Sequence, residues 1–93
     1  MRFEDTLFNW LQIRLVWNAR PKDGSAEETV RFFEQMLTED HGVRELSLTM
    51  EADQYRISWQ KEDGEEARLY DRKQAESLLQ SIEAEPRYNA TWE

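Results

Sequence analysis

The chain has 93 residues, with twelve Lys and Arg against twenty Asp and Glu for a net charge of −8, no cysteine, three glycines and two prolines. Such a length predicts one small domain; the lack of cysteine excludes disulfides, thiolate catalysis and Cys-based metal centres, and the acidic balance argues against nucleic acid and anionic lipid as partners. No stretch approaches the roughly 20 apolar residues of a membrane helix, and the opening Met1-Arg2-Phe3-Glu4-Asp5 lacks a signal-peptide apolar run, so a cytoplasmic setting with no membrane partner is expected.

Over residues 5–19 the apolar period is helical, with Asp5 or Thr6 as N-cap. Arg20-Pro21 ends this helix, because the residue before a proline resists helical backbone. A second helix over 26–41 follows Pro21-Lys22-Asp23-Gly24. Ser25 as N-cap and Glu28 three residues later read as a capping box, Ala26, Val30, Phe33 and Leu37 form the stripe, and Gly42 is the left-handed stop.

At Val43 the period changes from 3.6 to 2. Leu46, Leu48 and Met50, then Tyr55, Ile57 and Trp59, then Ala67 and Leu69 alternate with polar residues, which predicts half-buried strands over 44–50, 54–60 and 65–70. The connections at Glu51-Ala52-Asp53 and Glu62-Asp63-Gly64-Glu65 are short enough for hairpins, so the three strands form an antiparallel meander. Asp71 caps a last helix over 72–85 with the stripe Ala75, Leu78, Leu79 and Ile82, stopped by Glu85-Pro86. Residues 87–93 read as a tail in which Tyr88 and Trp92 are candidates for docking. The expected fold is a single α+β domain of order ααβββα, its helices packed on one face of the sheet and its other face in water. That open face reads Glu45, Ser47, Thr49, Arg56, Ser58, Gln60, Glu66, Arg68 and Tyr70.

Few residues carry a chemical signature. His41, the single histidine, follows Glu39 and Asp40, but a cation in the last turn of a helix is explained by the macrodipole, and consecutive helical residues point to different sides. The acidic turn at Glu62-Asp63-Gly64-Glu65-Glu66 lacks the ligand alternation of a calcium loop. Glycine-rich phosphate cradles and nucleophile elbows are missing. The reading is therefore of no catalytic residue, no cofactor and no metal. From the second helix onward the order αβββα is shared with double-stranded-RNA-binding domains, but the last helix opens Asp71-Arg72-Lys73-Gln74-Ala75-Glu76 without the basic cluster such domains need.

The first helix is the informative segment. At 100° per residue Leu7, Phe8, Leu11, Leu15 and Ala19 share one side, while Phe3, Trp10, Ile13 and Trp17 form a second stripe about a third of a turn away. A helix on one sheet face needs one stripe, so the second meets either another helix of the domain or another chain. Four tryptophans in so short a chain favour an interface, and a homodimer through Phe3, Trp10, Ile13 and Trp17 is its simplest form.

At Met1-Arg2-Phe3-Glu4-Asp5-Thr6-Leu7-Phe8-Asn9-Trp10-Leu11-Gln12-Ile13 and at Glu39-Asp40-His41-Gly42-Val43 the chain resembles small proteins of Bacillus-type bacteria with no known activity. The resemblance implies a cytosolic bacterial protein and carries over no catalytic or binding residue. The expected function is thus a non-enzymatic protein-interaction or self-association domain that uses the aromatic stripe, with itself or another protein as partner. The alternative is a small-ligand-binding domain or enzyme whose pocket, between helices and sheet, holds Trp10 or Trp17 with Arg14, Asn18 or His41.

Overall fold

The computed structural model describes residues 2–84. Its elements are α1 (Phe3–Ala19), α2 (Gly24–His41), β1 (Arg44–Glu51), β2 (Gln54–Lys61), β3 (Gly64–Asp71), α3 (Arg72–Ala75) and α4 (Ser77–Ala84). The strands form one antiparallel sheet in the order β1-β2-β3, so the fold is the expected α+β arrangement of order ααβββα, with its last helical segment divided at Glu76. Among the described residues no helix is long and apolar enough to cross a membrane. The stop at Glu85-Pro86 and the tail with Tyr88 and Trp92 lie outside the described residues.

Two helix starts differ from the sequence reading. Helix α1 begins at Phe3, and neither Asp5 nor Thr6 caps it; Thr6 is buried in the first turn, where its hydroxyl donates to the Arg2 carbonyl at 2.9 Å. In α2 the cap is Asp23, whose carboxylate accepts from the Ala26 backbone N–H at 3.1 Å, the role expected of Ser25. Asp23 also meets Arg20 at 3.6 Å, so it joins both sides of the turn and is the better anchor. The other signals hold: Gly42 ends α2 at φ 68°, and the Asp71 carboxylate accepts from the Lys73 and Gln74 backbone N–H groups.

The third strand corrects the face assignment. Tyr55 lies opposite Tyr70, Ile57 opposite Arg68 and Trp59 opposite Glu66, and directly opposed residues point to the same side of a sheet. Glu66, Arg68 and Tyr70 therefore face the helices, while Ala67 and Leu69 lie on the open face, where Leu69 is 51% exposed. The Lys61–Gly64 pair around Glu62-Asp63 sets this parity, and a shift of one residue reverses every side chain. Arg68 suits the inner face because its guanidinium lies 5.5 Å from the Trp59 ring and 3.3 Å from Glu4, so its stem covers the indole while its head is paired.

Helix α1 is central. Leu7, Leu11 and Leu15 are buried in one cluster with Val30 and Leu37 of α2, Val43, Tyr55, Ile57 and Trp59 of the sheet side, and Ala75 of α3. The helix also contacts α4, where Gln12 reaches the Ser77 hydroxyl at 3.1 Å. Its second stripe is therefore met largely within the chain. Trp10 is only 3% exposed, belongs to the core cluster of the single chain, and is tied to α2 through Glu34.

Candidate functional site

The four residues of the expected interface go to different places. Phe3 packs its ring against His41 and Trp59, with centroids 5.3 and 5.4 Å away, and the Lys61 ammonium lies 5.1 Å from its centre. His41 Nε2 and Trp59 Nε1 are buried with no hydrogen-bond partner among the described residues. Trp17 lies beneath two guanidinium groups, Arg14 at 4.7 Å and Arg31 at 5.6 Å. Ile13, half-buried, lines an open cavity of about 1220 Å³ in the helix layer with Val16, Ala26 and Ile82. These four side chains form no common exposed patch.

A different surface is left incomplete. Along β1 the inward row opens steadily: Val43 just before it is buried, Leu46 and Leu48 are half-buried, and Met50 is 47% exposed. The helices cover the start of this row and not its end. Two adjoining cavities follow the strand, one of about 400 Å³ that includes Trp10, Arg14, Asn18, Leu48 and Met50, the other of about 240 Å³ that includes Leu37, Thr38, Val43 and Arg44. Both are lined by Glu34 and Leu46, so they form one groove between the helices and β1.

Strand β1 is also a sheet edge. The Glu51–Gln54 pair closes its hairpin around Ala52-Asp53, and antiparallel ladders alternate, so Thr49 and Ser47 bond to β2 while the N–H and C=O of Leu48 and Met50 point away from it. The residues that offer free backbone groups thus also floor the groove. A bulge limits the regular edge at its other end, where the register shifts between Arg44 and Ser47 and Glu45 takes φ 51°.

The electrostatics of the groove are uneven. Glu34 accepts the Trp10 indole N–H at 3.1 Å and faces Arg31 at 3.8 Å, so its charge is met inside the protein. Arg14 is half-buried, stacked on Trp17, and carries no ion pair among the described residues. Tyr55 forms part of the floor; burial, followed by its hydrogen bond to Glu76, raises its pKa to about 12. Tyr70, across the sheet, is likewise pushed up, by burial first and then by the Glu4 carboxylate. No group of three or more metal-ligating side chains occurs among the described residues.

Of the residues of the alternative reading, a pocket with Trp10 or Trp17 and Arg14, Asn18 or His41, this groove is lined by Trp10, Arg14 and Asn18, and by neither Trp17 nor His41. The alternation predicts a half-buried strand here and does not reveal that Leu46, Leu48 and Met50 also floor a groove. Their position on an edge strand was the available signal. A scan of the chain against protein-family models finds no match, and searches of curated proteins and of solved structures find none either.

Proposed function

We propose that the chain is a small non-enzymatic interaction domain that binds another polypeptide in the groove along β1. One observation carries this reading: among the described residues nothing covers the far end of the apolar row Leu46, Leu48 and Met50, which lies next to an open sheet edge. Exposed apolar surface bordered by polar groups marks binding sites. The net charge of −8 and the absence of cysteine support a polypeptide partner in a reducing cytosol over a nucleic acid.

Panning a random peptide display library against the full chain tests the proposal. Recovered peptides should shift backbone amides of β1 and the Arg14 region in heteronuclear NMR. Met50→Lys, at an exposed position, should abolish that binding without lowering the melting temperature. An equal affinity for wild type and Met50→Lys rejects the groove as the site.

Self-association is a second reading, favoured by Ile13, which is half-buried at an open cavity of the helix layer. Light scattering across a concentration range tests it. A mass rising toward twice 11.2 kDa and lost in Ile13→Glu supports a homodimer there, while a constant monomer mass rejects it.

A further inference from the structure

Resting on the interaction reading, we infer that the groove's occupant is an extended peptide that joins the sheet as a fourth strand beside β1 and sets a carboxylate against Arg14.

The backbone comes first. Leu48 and Met50 turn donors and acceptors outward in strand geometry, and only another extended backbone matches their spacing. A docked helix has already satisfied its own backbone and would cover these groups without bonding them. The side chains agree. Leu46 to Met50 spans about 13 Å at the usual strand rise; the larger cavity lies along that length, and the smaller one continues from Leu46 back to Val43. In an added strand every second side chain points to the helix side, so the groove takes apolar residues at alternate positions.

Charge selects among occupants. Arg14 presents a half-buried guanidinium without a carboxylate partner among the described residues, at the Met50 end of the groove. The Arg14 Cζ lies 4.7 Å over the Trp17 ring, a contact that limits the side-chain freedom lost when an anion arrives. A second copy of this chain fits less well. Antiparallel pairing of two β1 strands centred on Leu48 would set Glu45 opposite Glu51 twice, and each copy carries −8.

The test uses the full chain and a peptide recovered from the display library, made in four forms: unmodified, with single backbone amides replaced by esters, with its terminal carboxylate amidated, and with acidic side chains neutralised. Strand addition predicts that amide hydrogen exchange slows at Leu48 and Met50 on binding and that ester replacement weakens binding only at alternate positions. Arg14→Gln should weaken the unmodified peptide about tenfold, as expected for one charge-assisted hydrogen bond. One of the two neutralised peptides should lose the same factor on wild type and nothing further on Arg14→Gln, which identifies the carboxylate as terminal or side-chain.

Ester effects at every position or none, or a footprint on the opening around Ile13 and Ile82, overturn the strand mode while leaving an interaction domain. Equal affinity of the neutral and acidic forms overturns the role of Arg14. Displacement of all peptides by octanoate at lower concentration makes the groove a small-amphiphile site, and β1 protection that appears without peptide and falls on dilution makes the occupant a second copy. A library that yields no binder removes the interaction reading itself.

Discussion

The indole N–H of Trp10 donates to Glu34 Oε2 at 3.1 Å, joining α1 to α2 at the wall of the groove. Trp10 is nearly fully buried, so its N–H has no ready access to water, and Glu34 is what makes burial of the indole tolerable. Glu34→Ala should destabilise the fold by about 1–3 kcal/mol, the usual effect of stranding a buried donor. Glu34→Gln, which keeps an acceptor, should cost less. Urea denaturation of the two variants measures the difference, and equal losses would show that the hydrogen bond contributes nothing.

The two tryptophans of the same stripe should behave differently. Trp10→Ala removes a core side chain and should cost about 3–5 kcal/mol. Because the loss is within one chain, the midpoint should not vary with protein concentration. Trp17→Ala leaves half-exposed surface and should cost clearly less, while freeing Arg14 and Arg31 from the ring they share. Equal effects, or a strong concentration dependence in wild type alone, would return Trp10 to an interface.

Strand β3 offers a test of side-chain direction. Leu69→Lys places a charge on the open face beside Arg56 and should change stability by no more than about 0.5 kcal/mol. Tyr70→Lys places one against Phe8, whose ring lies 5.6 Å from that of Tyr70, and should be several times more harmful. The opposite ranking would mean that the strand is turned over.

Tyr55 should make stability fall in strong alkali. Its folded pKa is raised to about 12 from 10.0, so the folded state holds the phenolic proton more tightly than the unfolded chain. That contribution is fully present below pH 10 and is lost as pH rises through about 12. Tyr55→Phe should flatten the denaturation midpoint over this window, although Tyr70, shifted in the same direction, contributes a residual slope. A midpoint whose alkaline slope is the same in wild type and Tyr55→Phe would remove Tyr55 as its source.

Breakers and periodicity made the element order legible: Pro21, Gly42 and Asp71 stand where elements change, and the alternation holds within Leu46 to Met50 and again within Tyr55 to Trp59. Strand β3 was less legible because both of its faces carry apolar matter. Ala67 and Leu69 alternate with Tyr70 and the long stem of Arg68, so pattern alone favours the wrong side, and only the hairpin closure at Lys61–Gly64 decides. The cap of α2 was ambiguous because Asp23 and Ser25 are both good capping residues; the Arg20 contact selects Asp23. Helical projection set Trp10, Arg14 and Asn18 near one another, yet periodicity says which way a residue faces and not how far the opposite layer extends. The exposed end of β1 is a matter of coverage, and coverage is tertiary.

The central position of α1 also governs how the molecule comes apart. Leu7 and Leu11 belong to the sheet's cluster, Trp10 is tied to α2, and Gln12 reaches α4, so this helix cannot melt while its neighbours persist. Neither the two leading helices nor the strand meander retains a closed interior alone, which makes global unfolding a single cooperative event. The far end of β1 belongs to that unit as well: Glu51 pairs with Gln54 across the hairpin, and the Arg72 backbone N–H donates to the Asp53 carbonyl at 3.1 Å. The outer side of that strand is thus held extended by the rest of the fold, so an arriving backbone meets a template already set and no ordering of β1 has to accompany its binding.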